Sequence, residues 1–275
     1  MNNDIEFDDL LIDDEKLNSK EIFIENYFFD ENKIHLENLN QIFSSIFIKR
    51  NFIFSLPNIN DKQSAIVSWS QSMNFISMLM IQFFRQNYYF EQLNDNDQFL
   101  LIKRNLFSIF PLIKCYSYQI NDEISFKWDQ LSEKHQKFLF PHKHFLEIRD
   151  KVHNLIHSLI EITEKDSIFI VLLIMISLFS FGSIVLIEDQ TFFKNSLEIY
   201  RSQSHYIQLL QYYLSINNNN NEYQTIKRWM KISEILLRMQ SGATNFAGML
   251  RNQFSSEKLV EQLTPLVQTV LQISS

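Results

Sequence analysis

The chain has few of the residues that break or turn regular structure. Among its 275 residues there are only three Gly and four Pro. Many short strands joined by tight turns would need more of both, because Gly and Pro supply the backbone angles of such turns. The scarcity argues against a β-rich fold and favours long helices.

Cysteine is also scarce, and its scarcity excludes several kinds of site. Cys115 is the single cysteine, so neither a disulfide framework nor a zinc site of paired cysteines is possible within this chain. The lack of Gly excludes a glycine-rich phosphate-binding loop, and no nucleophile motif is present. We therefore expect a protein that is not an enzyme and needs no cofactor.

A net positive charge is lacking too. The net charge is −7 and no block of Lys or Arg stands out, so electrostatic binding to nucleic acid is not expected. Acidic residues are concentrated in residues 1–18, which we expect to be a flexible tail. One domain over residues 19–275 would follow it.

What the chain does have is hydrophobic residues at helical spacing. Hydrophobic residues make up 45 %, including 26 Phe, against 21 % charged, as in ordinary globular proteins. Apolar residues recur every three or four positions, which predicts amphipathic helices. One begins at Asp61, another begins near Asn94 and is bent at Pro111, and a short last helix begins near Pro265. Only residues 124–128 alternate as a short strand pair would.

Residues 168–187 contain no charge over twenty positions, which is the usual length of a transmembrane helix. A helix that is apolar on all sides lies either in lipid or in the middle of a layered helical domain. Cationic flanks are missing, and Phe181-Gly182-Ser183 interrupts the run. These features favour a buried helix of about fourteen residues. A membrane-anchored helical protein remains the alternative.

Residues 83–103 read FFRQNYYFEQLNDNDQFLLIK. This segment, called here the signature segment, resembles the signature of nuclear receptor ligand-binding domains in its residue types and spacing. The matching residues are Phe83, Arg85, Phe90, Leu93, Asp97, Gln98, Leu101 and Lys103. Phe84 departs from the small residue usual there. Independently of the family, we expect Phe90 and Leu93 to pack the turn onto the core, and Asp97 and Gln98 to bind backbone groups at the junction.

The resemblance implies an all-α fold: a three-layered antiparallel helical sandwich of about 11–12 helices with at most one short β-hairpin. Residues 168–187 would provide the buried eighth helix of that fold. The family's DNA-binding domain needs eight cysteines, so this chain lacks it and is not expected to bind DNA directly. The implied function is that of a transcription-regulatory domain in the nucleus, and also in the cytoplasm, that acts with partners.

The same resemblance implies a groove for helical coregulator peptides of the Leu-x-x-Leu-Leu or corepressor type. Arg85 and Lys103 would bind the C-terminal carbonyls of the peptide helix. The last helix would supply the other side of the groove through Leu266, Val267, Thr269 and Val270. Thr269 stands where the family has a Glu, which predicts weak coactivator binding and a preference for corepressor helices.

Two further surfaces are implied by the order of the helices. A lipophilic ligand would be lined by Trp69, Met73, Ile76, Phe110, Cys115 and Phe246. The abundance of Phe leaves open that side chains fill this cavity. A dimer with another receptor or with a second copy would use Trp229, Ile232 and Leu236. A purely structural dimerisation domain, without peptide or ligand, is the other alternative.

His153 and His157 are spaced four residues apart, which places both on one face of a helix. Such a pair could hold a metal ion, but no third ligand accompanies it in the sequence. We therefore interpret the two histidines as solvated side chains and predict no metal site.

Overall fold

The structure, a computed structural model, describes residues 31–47, 58–120, 122–140, 143–164, 166–180, 192–217 and 221–273. These ranges contain ten α-helices, one 3₁₀ turn and no strand. The helices are α1 (31–47), α2 (Lys62–Phe84), α3 (Tyr88–Glu91), α4 (Asp95–Ile120), α5 (Asp122–Leu139), α6 (Lys143–Thr163), α7 (Ser167–Leu178), α8 (Ser196–Asn217), α9 (Glu222–Ser256) and α10 (Pro265–Leu271). The 3₁₀ turn is Val260–Gln262. The prediction of an all-α fold is confirmed for this part of the chain.

The helices begin where the sequence offers capping side chains. Asp61 precedes α2 and accepts a hydrogen bond from the backbone nitrogen of Ser64 at 2.7 Å. The Ser64 hydroxyl in turn accepts from the backbone nitrogen of Asp61, which completes a capping box. Asn221 caps α9 by accepting a hydrogen bond from the backbone nitrogen of Gln224 at 3.1 Å. Pro265 occupies the first turn of α10, where its missing N–H removes no hydrogen bond.

The inner helices are α4 and α7. The twelve residues of α7 include a run from Phe169 to Met175 in which every side chain is fully buried. α4 packs on one side of α7 and α8 packs on another. α4 also contacts α5, α6, α9 and α10. This order fits a layered sandwich of helices with its core around α4 and α7.

The structure describes the long apolar stretch as far as residue 180. α7 ends at Leu178, close to the predicted length, and residues 181–187 lie outside the described residues. No described helix combines the length and the apolar character that crossing a bilayer requires.

The predicted strand pair at residues 124–128 is wrong, because these residues belong to α5. Ile124, Trp128 and Leu131 are spaced at i, i+4 and i+7, so the segment also satisfies the helical period. An alternation over five residues is too short to outweigh that longer pattern. Pro111, for its part, lies inside α4, and the helix continues past it to Ile120. The expected acidic tail at residues 1–18 lies outside the described residues.

Candidate functional site

The signature segment forms the junction between α2 and α4. α2 ends at Phe84, Arg85 is its C-cap residue, and α4 begins at Asp95 as predicted. Between them Asn87 caps the short helix α3 by accepting a hydrogen bond from the backbone nitrogen of Phe90. Phe90 is fully buried and Leu93 nearly so. The two residues therefore attach this turn to the core, as expected from the sequence.

Asp97 and Gln98 bind backbone groups, and Asp97 does so over a long distance in sequence. The Gln98 side-chain nitrogen donates to the carbonyl oxygens of Phe90 at 3.1 Å and Leu93 at 3.0 Å. The fully buried Asp97 carboxylate accepts from the backbone nitrogens of Lys194 and Asn195, both at 2.8 Å. Asp97 thus fixes the segment before α8 to the start of α4, which no local sequence pattern predicts.

Three apolar side chains of α2 and α4 are exposed to water. Phe75 is 38 % exposed and Met78 is 54 % exposed. Arg85 lies at the exposed end of the same helix. On α4, Phe99 is 51 % exposed and precedes the half-buried Lys103 by one helical turn. We call these five residues the α2–α4 surface.

α10 contacts both helices that carry the α2–α4 surface. It is held there by polar contacts at both ends. The backbone nitrogen of Thr264, just before the helix, donates to the hydroxyl of Ser70 on α2 at 2.7 Å. Arg251 of α9 donates to the carbonyl oxygen of Leu271 at 2.8 Å. These bonds hold the start of α10 against α2 and its end against α9.

The structure corrects which α10 residues a partner could contact. Val267 and Val270 are 4 % and 5 % exposed, so they attach α10 to the core and offer almost no surface. Leu266 and Thr269, which are both half-buried, remain. The Thr269 hydroxyl donates to the Pro265 carbonyl at 2.9 Å within its own helix. It offers a partner no charged acceptor.

The six residues of the expected ligand cavity lie in the core, and three of them belong to an aromatic cluster. The Phe246 ring lies 5.9 Å from that of Phe107 and 5.8 Å from that of Phe140. Phe110 contacts Phe107, and Trp69 contacts Phe140. These rings occupy the space between the helices.

The other three expected cavity residues are also packed against neighbours. Ile76 and Cys115 are buried and Met73 is half-buried against the core. Burial raises the pKa of the Cys115 thiol to about 12, so the thiol stays protonated. The interpretation in which side chains fill the expected cavity agrees with this packing.

The expected dimer residues face inward. Ile232 is fully buried, and Trp229 and Leu236 pack against the core. The apolar residues on the outer side of α9 are instead Tyr223, Ile226, Met230 and Leu237, each between 58 % and 70 % exposed. Their spacing places them within one narrow stripe along the helix. We call them the α9 stripe. The sequence pattern predicts an apolar face for either set of residues. Only the packing shows which of the two faces is buried.

The histidines show one close pair and one buried hydrogen bond. His153 and His157 are exposed on α6, with their Nε2 atoms 2.9 Å apart. Burial, followed by the nearby His157, lowers the pKa of His153. His135 is buried and bonded to the Ser68 hydroxyl at 3.0 Å, and burial lowers its pKa to about 4. Among the described residues, no three His, Cys, Asp or Glu side chains are grouped to hold one metal ion.

No protein-family model matches the chain, and no curated protein matches it at a significant level.

Proposed function

We propose that this domain is a regulatory binding module that takes a short helical peptide on the α2–α4 surface. The observation that carries the proposal is the combination of exposed apolar residues with flanking cations. Phe75, Met78 and Phe99 offer apolar anchor points, and Arg85 and Lys103 lie on the same two helices. A helical peptide buries its apolar face in such a surface. Cations favour its C-terminal end, where the helix dipole is negative.

The occupant that fits the resemblance is a transcriptional coregulator helix, which would place the module in the nucleus. A corepressor-type helix is favoured over a Leu-x-x-Leu-Leu coactivator helix. The reason is Thr269, whose hydroxyl donates within α10 and leaves no negative charge for the N-terminus of a coactivator helix. The proposed role is binding without catalysis.

Fluorescence anisotropy of two labelled peptides, one coactivator helix and one longer corepressor helix, tests the proposal. Arg85→Ala/Lys103→Ala should weaken binding about tenfold, because each cation contributes up to about 1 kcal/mol at a helix C-terminus. Arg201→Ala/Lys231→Ala removes the same charges from exposed positions on α8 and α9 and serves as the control. Equal affinity in both double variants, or no binding of either peptide, would contradict the proposal.

The preference for corepressor helices has its own test. Thr269→Glu introduces a carboxylate on α10 where the family has one and should strengthen binding of the coactivator peptide several-fold. Thr269→Gln is the matched control, since it has nearly the same shape and no charge. If both variants bind the coactivator peptide as wild type does, the missing carboxylate is not what sets the preference.

A second candidate function, dimerisation, is favoured by the α9 stripe. Four large apolar side chains in a row on one outer helix face are an unusual surface unless a partner covers them. In a dimer of two copies, the stripes would pack on each other across a two-fold axis.

Sedimentation velocity of the variant Met230→Glu/Leu237→Glu tests dimerisation. The variant should be monomeric at concentrations where wild type associates, because two carboxylates in each copy would have to be desolvated. Gln208→Glu/Gln211→Glu adds the same charge at exposed positions on α8. A wild type that stays monomeric, or a stripe variant that associates as wild type does, would remove this candidate.

A further inference from the structure

A groove runs along the outer side of the pair formed by α6 and α9. The two helices are antiparallel: Arg228 donates to the carbonyl oxygen of Ile162 at 3.0 Å, and the Phe246 ring lies 5.9 Å from that of Phe145. The groove has a volume of about 740 Å³. It extends over residues 148–158 of α6 and 238–249 of α9, which corresponds to roughly 17 Å.

The floor of this α6–α9 groove is apolar. Val152 and Leu155 of α6 and Met249 of α9 are half-buried and pack against the core with their inner sides. Gly242 of α9 also lines the groove. A Cβ atom at that position would lie 3.7 Å from a methyl carbon of Val152, an ordinary van der Waals contact. A larger side chain at residue 242 would extend into the groove.

The charge on the groove is the reverse of the charge on the whole chain. The chain carries a net charge of −7, but the groove is lined by Lys151 and Arg238 and by no Asp or Glu. Arg238 forms an ion pair with Glu234 on the preceding turn of α9, at 2.6 Å. Both partners of that pair are exposed, so it stabilises the helix little, and Arg238 has further N–H donors for a ligand.

We propose that the α6–α9 groove binds a small amphipathic anion. Its apolar body would cover Val152, Leu155 and Met249, and its anionic group would lie between Lys151 and Arg238. A volume of about 740 Å³ lies within the range of roughly 300–1,000 Å³ that is typical of small-molecule sites. A few placed polar groups above an apolar floor are also typical of such sites.

This site is separate from the peptide surface and from the expected ligand cavity. The groove includes neither Arg85 nor Lys103, and none of the six residues expected around a lipophilic ligand lines it. Binding here therefore does not depend on the proposed peptide function. Each can fail without the other.

Three probes with the same ten-carbon chain isolate the role of charge: decanoate, decan-1-ol and decylammonium. Each is titrated into the full chain by calorimetry, the two ionic probes below their micelle concentrations and decan-1-ol below its solubility limit. Decanoate should bind about fivefold or more tightly than decan-1-ol, since each exposed ion pair contributes roughly 0.2–1 kcal/mol. Decylammonium should bind most weakly. Equal affinity for all three would mean unspecific adsorption to apolar surface and would overturn the proposal.

Variants then test the location. Lys151→Gln/Arg238→Gln should remove the preference for decanoate over decan-1-ol. Gly242→Leu should block both probes, because its side chain fills the groove, whereas Gly242→Ala should bind as wild type does. Arg85→Ala/Lys103→Ala is the control at the other surface. Unchanged decanoate binding in a folded Gly242→Leu variant would place the ligand elsewhere and overturn the assignment.

Discussion

α7 and α9 both carry apolar side chains on more than one face, but the chain buries all faces of α7 and only the inner face of α9. In α7 the run from Phe169 to Met175 is fully buried, because α4 and α8 of the same chain enclose it. In α9 the inner face is buried, while Met230 and Leu237 on the outer face are each 67 % exposed. Apolar residues therefore show that a surface prefers cover. Only the packing shows whether another helix of the same chain buries that surface.

The largest effect that separates the two helices is expected from removing one leucine in each. Leu173→Ala in α7 should lower the free energy of unfolding by about 2–5 kcal/mol, because it leaves a cavity in a fully buried region. Leu237→Ala in the α9 stripe is the control and should change it by about 0.5 kcal/mol or less. Urea unfolding of both variants measures the difference. A similar loss in the two would mean that the stripe is already covered in the isolated chain.

Substitutions of the residues that cap the two helices should differ less in their effect on the free energy of unfolding. Asp166 caps α7 by accepting from the backbone nitrogens of Ile168 and Phe169, and it also accepts from the hydroxyl of Tyr213 on α8. Asn221 caps α9 only through Gln224. Asp166→Ala should cost about 2–3 kcal/mol, since a cap and a contact with α8 are both lost, and Asn221→Ala about 1 kcal/mol.

Tyr213→Phe separates the two parts of the Asp166 effect. It keeps the cap and removes only the hydrogen bond between α7 and α8. Urea unfolding of this variant should show a loss of about 1 kcal/mol. If Asp166→Ala costs no more than Asn221→Ala, the contact with Tyr213 contributes nothing to stability.

Much of the fold follows from local patterns in the sequence. The starts of α2 and α4, the interior position of α7 and the short last helix at Pro265 all follow from capping residues, apolar spacing and the lack of charge. These signals are local, so they survive in a single sequence. Residues 124–128 show the limit, because over five residues the helical and strand periods overlap.

The candidate site is harder to predict from the sequence than the fold, because it depends on contacts between residues that are distant in the chain. The link from Asp97 to Lys194 and Asn195 joins positions almost a hundred residues apart and leaves no pattern in either segment. The residues expected at a dimer surface, Trp229, Ile232 and Leu236, fit the helical period as well as the stripe does. The helices that pack against α9 decide which of its faces is buried. The sequence does not show which helices these are.

The smallest expected effect concerns pH, which should act on the interior and leave the α9 stripe unchanged. His135 of α5 is 6 % exposed and bonded to Ser68 of α2, while α9 contains no histidine. Burial lowers the pKa of His135 to about 4, against about 6.5 in an unfolded chain. Between these values the unfolded chain binds a proton that the folded chain does not. The free energy of unfolding therefore falls as the pH falls below about 6.5, and this contribution levels off below about 4.

From pH 7 to pH 5.5 the loss due to His135 should be about 1 kcal/mol. His135→Gln cannot take up the proton, so its stability should fall less than that of wild type over the same interval, whatever the substitution costs at pH 7. His157→Gln, which removes an exposed histidine, should follow wild type more closely. An equal fall in wild type and His135→Gln would show that His135 is hydrated in the folded chain. α9 has no histidine to titrate, so self-association through the stripe should be the same at both pH values.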